Sequence, residues 1–533
     1  MTLDVPKPLF LVLSAALQAI ALFSHGGLTS IFVVFLVLNV FAHTIYVVFI
    51  YLNFVSPIRH FPTPKVRHGP PDDAFAPRTK VLQTYGALPL LGHFLTGLEA
   101  NRGEELLRCS LETPNDGLIR LRGLFNSDQL LITSHKAQAE VLVTKPYEFP
   151  KPERSREFLR TGLGDGMVVA ECEYHKHQRK HAMPSFSFWQ IKDLYPLSWN
   201  KAMKMAKVID DEVFSQRESS ANAEGKLVGL TDIDRWAPKA TLDIIGVAGL
   251  GRDFNTLENS DDPIAKLYAD LFMPSLGTRM EFRTRKKECI KRVEDASVDT
   301  LAALIKIDVF SDNELVDQLL TILVAGHETT SSSFTWITYL LSLHPDIQSR
   351  VRAEIHAALP SGFAPGRSPD SDIAAIFESL PLLSGVCLET LRLFPPVPST
   401  LRQSTKDNTL LGHPIAAGTV LTLAPWVSNN SPALWGPDVH EIKPDRGIDC
   451  ETGKPNQTGG VSTNYAFMTF LHGPRSCIGQ QFAKAELRAL VAAFVGMFEW
   501  TLADQNKKIE PAIVITVKPK DGLNLRLTKI RDG

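Results

Sequence analysis

Apolar residues recur at intervals of three and four along most of this chain, which is the period of helices with one buried face. Shorter runs of β-branched and apolar residues interrupt this period and predict strands. The predicted helices are Asp193–Phe214, Ser311–Leu343, Asp346–Leu359, Ile373–Phe394 and Gly479–Phe498. The predicted strands are Leu118–Leu121, Gln129–Thr133, Thr419–Leu423, Ile513–Val517 and Leu523–Leu527. The pattern therefore predicts a mainly α fold with small β-sheets.

The N-terminus has a different pattern, because residues 31–55 contain no Asp, Glu, Lys or Arg. A bilayer core needs roughly 20 apolar residues in a helix, so this run predicts a transmembrane span. The shorter apolar stretch Pro8–Phe23 precedes it and fits a second span, an interfacial segment or part of a signal. We do not expect a cleaved signal, because the longer span would still anchor the product. Residues 1–56 are therefore expected to form a membrane anchor of one or two spans.

A proline-rich connector over residues 57–81 follows the main span and predicts a stiff hinge. Its basic residues are Arg59, Lys65, Arg67, Arg78 and Lys80, whereas only Lys7 precedes the first apolar stretch. By the positive-inside rule, the rest of the protein is expected on the cytosolic side. The composition is even over residues 82–533, which predicts one large domain.

Composition excludes several classes of protein. With 44% hydrophobic residues, 21% charged residues and a formal charge of −2, the chain is neither disordered nor suited to binding nucleic acid. Its six cysteines have neither paired nor Cys-x-x-Cys spacing, which argues against a disulfide framework and a zinc site. A reducing compartment follows from this distribution, in agreement with a cytosolic domain.

The segment Phe470–Gly479, FLHGPRSCIG, has the strongest chemical implication. Gly473 and the following proline predict a tight turn before Cys477, and Gly479 leaves room for a flat macrocycle beside the sulfur. Because a helix is predicted to begin here, its N-terminus is expected to favour the thiolate form of Cys477. Arg475 adds a cation that can pair with a carboxylate of a bound cofactor. The segment therefore predicts a haem cradle.

The middle of the longest predicted helix carries the polar sequence AGHETT, residues 325–330. Buried polar groups cost a few kcal/mol unless they are satisfied, so their presence requires a reason. Gly326 permits a planar group to approach the helix backbone. The Thr329 hydroxyl can bond either to the carbonyl of the preceding turn or to a ligand and water.

The cysteine segment resembles the cytochrome P450 superfamily. The haem-binding signature Phe-x-x-Gly-x-Arg-x-Cys-x-Gly is matched at Phe470, Gly473, Arg475, Cys477 and Gly479. One departure is Leu471, where many members carry glycine or serine. The resemblance implies the P450 fold and haem b, with Cys477 as the axial metal ligand and Phe470, Arg475 and Gly479 as cofactor-binding residues.

AGHETT resembles the oxygen-activation motif of the same family at every position. The resemblance implies that Glu328 and Thr329 are catalytic and organise proton delivery, and that Gly326 lies against the cofactor. His327 occupies the variable position, so we expect it to pack or to face the pocket rather than to act as a base.

Two further resemblances concern the support of the haem. Glu389 and Arg392, completed by Arg446, match the ion network that holds the cysteine loop in register, although Gly447 stands where an aromatic residue is usual. Residues that the resemblance assigns to the haem propionates are Arg402, His175 and Arg179, with His175 replacing the usual tryptophan. The neighbouring Lys176 and Lys180 fit a solvated face and a docking surface for an acidic redox partner equally well.

The resemblance implies a monooxygenase that inserts one oxygen atom from O2 into an apolar small molecule. Substrate contacts are expected from Thr161–Val168, the helix before Gly326, Val397–Leu401 and the turn near Ile513. No flavin or ferredoxin module is recognisable, so the expected electron donor is NADPH–cytochrome P450 reductase, with cytochrome b5 as a second donor. NADPH then acts only indirectly. The expected location is the endoplasmic reticulum membrane.

The hinge and the His175 segment look most like those of fungal members, whose frequent substrates are terpenoids, polyketides and alkaloids of specialised metabolism. An alternative enzyme class to the monooxygenase is a haem-thiolate isomerase, dehydratase or peroxide-dependent enzyme. Glu328 and Thr329 argue against it, because such enzymes have less need of a proton relay. The alternative outside the enzymes is a non-catalytic haem sensor or carrier.

Overall fold

The structure is a computed structural model of the chain. It describes residues 14–20, 28–64, 67–68, 84–85, 102–123, 127–214, 220–221, 227–259, 309–360, 363, 372–449, 451–456, 459–513 and 516–530. Most of the predicted hinge, residues 69–81, lies outside this part.

Helices make up most of the described chain. They are α1 (Leu28–Ile45, continued by a π-helix over Tyr46–Val55), α2 (Arg102–Glu112), α3 (His135–Ala139), α4 (Glu153–Leu163), α5 (Cys172–Ala182), α6 (Phe188–Phe214), α7 (Ile233–Leu250), α8 (Asp312–Leu343), α9 (Pro345–Ala358), α10 (Ile373–Ser379), α11 (Pro381–Leu393), α12 (Pro425–Asn429), α13 (Pro432–Trp435) and α14 (Gln480–Met497). Residues 14–20 are also helical.

The strands are short: β1 (Arg67–His68), β2 (Thr84–Tyr85), β3 (Leu118–Arg122), β4 (Asp128–Ile132), β5 (Ser220–Ala221), β6 (Leu227–Asp232), β7 (Thr400–Gln403), β8 (Asn408–Leu410), β9 (His413–Ile415), β10 (Val420–Leu423), β11 (Phe498–Leu502), β12 (Pro511–Ile513), β13 (Val517–Pro519) and β14 (Asn524–Lys529). Two four-stranded sheets have the orders β3-β4-β10-β7 and β11-β14-β6-β5. Only the β4–β10 pair is parallel among the described strand pairs. The predicted mainly α fold with small sheets is confirmed.

We call the large domain that follows the membrane anchor and the hinge the body. Helix α8 is its central element. It begins with a capping box, in which the Ser311 N–H donates to the Glu314 carboxylate at 2.9 Å. The helix packs against α4, α7, α9, α11 and α14 and against strands β11 and β13. Phe334 and Trp336 on its C-terminal half are completely buried. The AGHETT segment thus lies between buried residues of one apolar core, with Leu323 and Val324 before it and Phe334 after it.

Most predicted elements are present with ends shifted by up to five residues, and two differ more. The predicted helix Ile373–Phe394 is two helices, α10 and α11, bent by 70° around Leu380. The reason is Pro381, which is tolerated as the first residue of a helix but not in its interior. The predicted strand Ile513–Val517 instead spans the connection between β12 and β13. Residues 514 and 515 of that connection lie outside the described part.

The predicted main span coincides with α1 and its continuation. Ile31–Tyr51 is the helix among the described residues that is long and apolar enough to cross a membrane, and its most apolar window has no buried residue. The chain then enters the body directly, because Ile58 and Phe61 are buried beside the β3-β4-β10-β7 sheet. The Arg120 N–H donates to the carbonyl of Pro62 at 2.8 Å. The first part of the hinge is thus held on that sheet.

Candidate functional site: the cysteine loop and its surroundings

The segment Phe470–Gly479 forms a tight loop in front of α14. Gly473 has a φ of +75°, and a Cβ there would lie 2.1 Å from the carbonyl oxygen of Leu142, so only glycine fits. The Cys477 N–H donates to the carbonyl of Phe470 at 2.8 Å and closes the loop. The Cys477 side chain has exposed surface and is nevertheless surrounded by protein atoms. The sulfur therefore faces an internal space of the body.

The free thiol of Cys477 does not follow the predicted preference for thiolate. Burial raises its pKa, and this effect outweighs the Gly479 N–H and the charge of Arg179, which both lower it. Cys477 lies before the first residue of α14, Gln480. A bound metal ion would offset the effect of burial, because it deprotonates a coordinating thiol.

At two positions near Cys477, backbone conformation or the surrounding space accounts for the residue type that is usual there. Leu471 has a φ of +54°, in the left-handed region that costs a residue with a Cβ about 1–2 kcal/mol. This accounts for the glycine that is common there in the family. At Gly479, a Cβ would meet only Phe186, at 3.9 Å, among the described residues. Packing within the protein does not demand this glycine, so the open space beside it is available to a flat ligand.

A cluster of buried charges surrounds Arg475, whose side chain is 3% exposed and pairs with the Glu171 carboxylate. Lys151 approaches the same carboxylate at 3.7 Å, and its backbone N–H donates to it at 3.0 Å. Arg402 is 1% exposed and lies close enough for its charge and that of Arg475 to repel. Apart from the ion pair, the Arg475 guanidinium has no hydrogen-bond partner among the described residues. We call Lys151, Glu171, Arg402 and Arg475 the cation cluster.

The pKa shifts in this cluster show that burial and mutual repulsion disfavour the charged forms of its basic side chains. Burial, followed by the charge of Arg402, lowers the pKa of Lys151 to about 7. Burial, followed by the charge of Arg475, lowers the pKa of Arg402 to about 10. Glu171 has a lowered pKa because its hydrogen bond from Arg475 and the charge of Lys151 outweigh its burial. Two guanidinium groups and the Lys151 side chain, which is partly deprotonated near neutral pH, thus share a single carboxylate in a buried site.

Helix α5 connects this cluster to the cysteine loop. Arg179 donates to the carbonyl of Ser476 at 2.7 Å and to its hydroxyl at 3.2 Å, next to the cysteine. His175 lies 3.3 Å from the Tyr147 hydroxyl, and burial followed by the charge of Arg475 lowers its pKa to about 4. His175 is therefore a neutral hydrogen-bonding group, while Arg179 fixes the loop in which Cys477 lies.

In the AGHETT turn of α8, the contact between Gly326 and a cofactor stays a prediction, and the structure adds a packing reason for this glycine. A Cβ on Gly326 would lie 2.8 Å from Ile245 of α7, so close packing of two helices explains this glycine. The residue of this turn with an exposed side chain is Ala325, although the residues before it are buried. The Thr329 hydroxyl donates to the Ala325 carbonyl at 2.7 Å, which is the first of the two predicted alternatives. Ala325 is exposed and Gly326 is partly exposed, so both contribute accessible helix surface at this turn.

Glu328 points to the β12–β13 hairpin. Its carboxylate lies 2.9 Å from the Lys518 ammonium and 3.5 Å from the Thr516 hydroxyl. Although burial opposes ionisation, the charge of Lys518 followed by that of His327 holds the pKa of Glu328 below its usual value. His327 is 3% exposed, and burial lowers its pKa to about 4, so it packs as expected. Sequence reasoning missed Lys518, because the pairing depends on a contact between distant segments.

The predicted ion network is complete. Arg392 is fully buried and donates to both oxygens of Glu389 at 2.7 and 2.9 Å, while Arg446 lies 3.6 Å from the same carboxylate. Arg392 also donates to the carbonyls of Val439 and Asn429 at 2.7 and 3.1 Å. We call Glu389, Arg392 and Arg446 the closed network. Gly447 lacks an aromatic side chain because a Cβ there would already lie 3.0 Å from the backbone of Gly385.

The residues present fit a haem. Buried positive charge without an equal negative charge is destabilising unless anions join it, and the two propionates of a haem are such anions. The cation cluster can hold them, Cys477 provides a soft axial ligand and Gly479 leaves space for the ring. Sequence reasoning assigned Arg402 and Arg475 but missed Lys151 and Glu171, for which no local motif exists.

Comparisons with known proteins agree on one family. The family model described as "Cytochrome P450" matches residues 277–525. Among curated proteins, the chain is 37% identical to cytochrome P450 monooxygenase sphH of Aspergillus fumigatus, covering 95% of this chain and 94% of that protein. It is 34% identical to cytochrome P450 monooxygenase ptmK of Penicillium ochrochloron, covering 91% and 96%. It is also 35% identical to cytochrome P450 monooxygenase FUM15 of Gibberella moniliformis, covering 78% and 81%.

Proposed function

Because this chain belongs to the cytochrome P450 family, we propose that it is a membrane-anchored fungal monooxygenase acting on an apolar specialised metabolite. The enzyme class itself follows from the relatives, which are cytochrome P450 monooxygenases and align with this chain over nearly their whole length. The family binds haem through a cysteine thiolate and draws electrons from NADPH through a reductase. The observation that supports a haem site in this chain is the unbalanced cation cluster beside the cysteine loop.

In this proposal Cys477 would provide the thiolate ligand of a haem iron, and Arg402, Arg475 and Lys151 would hold the propionates. Bound haem supplies the redox chemistry that activates O2, and the thiolate favours O–O cleavage over reversible oxygen binding. Arg179 keeps the cysteine loop in place through Ser476. His175, Phe470 and Gly479 complete the cradle.

Thr329 and Glu328 form the proton route of the proposal. The Thr329 hydroxyl donates its hydrogen to Ala325, so its oxygen remains able to accept a hydrogen bond from water or substrate. Glu328 is ionised beside Lys518 and can accept a proton at Oε2. A rotation of the Glu328 side chain away from Lys518 would carry the proton from the β12–β13 hairpin toward Thr329.

The substrate pocket is proposed to lie where the sequence predicted it. The Met167 N–H donates to Gln318 at 3.2 Å, and the Asp165 N–H donates to Asp317 at 2.8 Å. These bonds hold residues 161–168 against the first turns of α8. Val397, 42% exposed, supplies apolar surface in the segment before β7. Such a lining favours an apolar substrate, for which terpenoids, polyketides and alkaloids remain the proposed classes.

An electron donor is proposed to dock on α5 and the adjoining turn. A concave surface there is lined by Lys176, Lys180, Met183, Phe186 and Pro474, among others. It combines basic side chains with exposed apolar ones, and Pro474 belongs to the cysteine loop itself. Acidic and apolar groups of a partner would match this surface. NADPH–cytochrome P450 reductase is the proposed donor, with cytochrome b5 as a second one, in the endoplasmic reticulum membrane with the body in the cytosol.

The test is product formation by the full-length protein with a reductase, NADPH and isotopically labelled O2. We expect one labelled oxygen atom in the product of an apolar substrate. Thr329→Ala is expected to retain haem but to spend most of the electrons from NADPH on reducing O2 to hydrogen peroxide, because proton delivery fails. Thr335→Ala is the control, since Thr335 is bonded to the Ser331 carbonyl of the same helix at 3.0 Å. Unchanged coupling in Thr329→Ala would refute the relay.

A further inference from the structure

The N-terminal helices are packed in an unusual way. The helical residues 14–20 lie against α1, and the Asn39 amide donates to Gln18 Oε1 at 3.0 Å and to Ser14 Oγ at 3.4 Å. Ala15 and Ala19, one turn apart, are 0% and 1% exposed. The first helix thus meets α1 through small and polar side chains, whereas the less exposed residues of α1 include Phe32, Phe35 and Leu36 besides Asn39.

Large apolar side chains lie on the outside of this pair. Leu17 and Ile20 on the first helix are 69% and 64% exposed. On α1 the exposed residues are Val33, Val34, Val37, Leu38, Val40 and Phe41. A helix pair in water has the opposite arrangement, with its large apolar residues between the helices. Both helices therefore face an apolar medium, which the hydrocarbon core of a bilayer provides.

The position of Asn39 fixes the depth of the first helix. Asn39 lies eight residues after Ile31, about 12 Å along a span of about 30 Å. An amide at that depth needs a hydrogen-bond partner, and helix pairs in membranes use small residues and such polar contacts to associate. The partner is Gln18, so residues 14–20 must reach the same depth as Asn39. An interfacial position for the first apolar stretch does not provide this contact.

We propose that the anchor is a transmembrane hairpin of two helices, held together by Asn39 and by the Ala15–Ala19 face, with a lipid bilayer as its partner. The proposal rests on the membrane anchoring proposed above. It places residues 1–7 on the same side as the body and residues 24–30 on the opposite side. The charges agree, because Lys7 and Arg59 flank the hairpin on one side and residues 24–30 contain no Lys or Arg.

A hairpin restrains the body more than a single helix does. Ser56 at the end of the span donates to Asp128, and Arg122 donates to the Asn53 side chain at 3.3 Å. The second helix of the pair is thus tied to the β3–β4 strands. Two packed helices resist rotation about the membrane normal, so they hold the body in one orientation relative to the bilayer.

The first test maps topology in the full-length protein expressed in endoplasmic reticulum membranes. A glycosylation tag is placed either before Met1 or after Gly27. The natural Asn456-Gln457-Thr458 acceptor reports the side of the body. A hairpin predicts glycosylation only of the tag after Gly27. Glycosylation of both tags would show a single span and overturn the hairpin. Glycosylation of neither tag, with the protein still membrane-bound, would also overturn it. Recovery in the soluble fraction would refute membrane anchoring itself.

The second test measures the contact. Gln18→Cys with Asn39→Cys, in a chain carrying a protease site after Gly27, is expected to keep the two fragments joined after oxidation and cleavage. The matched control is Leu17→Cys with Asn39→Cys, because Leu17 faces outward. Equal cross-linking of both pairs, or cross-linking of neither, would contradict the proposed contact.

Discussion

The cation cluster and the closed network are both buried groups of charges, but their balance differs. In the closed network, the Glu389 carboxylate has two guanidinium partners, and Arg392 is also satisfied by backbone carbonyls. In the cation cluster, two guanidinium groups and Lys151 share Glu171, and beyond that ion pair the Arg475 guanidinium lacks a hydrogen-bond partner among the described residues. The difference separates a structural group, which the protein satisfies itself, from a binding site, which an anionic ligand completes.

The largest effect is expected in the closed network. Glu389→Ala leaves the buried Arg392 guanidinium without its carboxylate, whereas Arg446 keeps its 2.8 Å pair with Asp438. This change should lower the free energy of unfolding by about 3–5 kcal/mol. Chemical denaturation of the haem-loaded protein measures it. The control is Asp445→Ala, whose 2.8 Å pair with Arg350 is largely exposed and should contribute less than about 1 kcal/mol. Similar losses for both variants would show that the network is not the structural group described.

The cation cluster should respond in the opposite way. Arg402→Met removes an excess buried charge, so the haem-free protein is expected to keep its stability, whereas haem affinity should fall roughly ten- to hundredfold. Titration of the haem-free protein with haem measures the affinity. Arg526→Met on β14 is the control, because Arg526 is exposed. Unchanged haem affinity in Arg402→Met would contradict the assignment of the cluster to propionates.

The Glu328–Lys518 pair lies between the two cases, because it is balanced but partly exposed. Lys518→Met removes the charge that chiefly lowers the pKa of Glu328, so the carboxylate should take up a proton at higher pH. The acid limb of product formation is then expected to move to higher pH, with a severalfold loss of coupling. Lys520→Met is the control, since Lys520 pairs with Glu510 at 3.9 Å. An unshifted pH profile would exclude Glu328 from the proton route.

Local patterns explain which parts could be predicted from the sequence. The capping box at Ser311, the pairing of Glu389 with Arg392 and the turn at Gly473 depend on residues close together in the chain. The break at Leu380 also had a local signal, Pro381, which the helical period concealed. These features follow from backbone geometry and helix spacing alone.

The remaining features depend on contacts between distant segments. Lys518 reaches Glu328 from a hairpin, and Glu171 joins Arg475 from the start of α5. The glycine at 326 is required by Ile245, which no motif connects to it. The pKa of Cys477 likewise depends on how deeply the fold buries the sulfur, which the helix position alone does not determine.

The central claim is that Cys477 is the thiolate ligand of a haem held by the cation cluster. The most direct measurement is the absorption spectrum of the reduced, haem-loaded protein with carbon monoxide. We expect the red-shifted Soret band of a thiolate-ligated haem, its loss in Cys477→Ala and its retention in Cys172→Ser, which changes an exposed cysteine. A folded, haem-loaded protein without that band, or a Cys477→Ala variant that keeps it, would contradict the account.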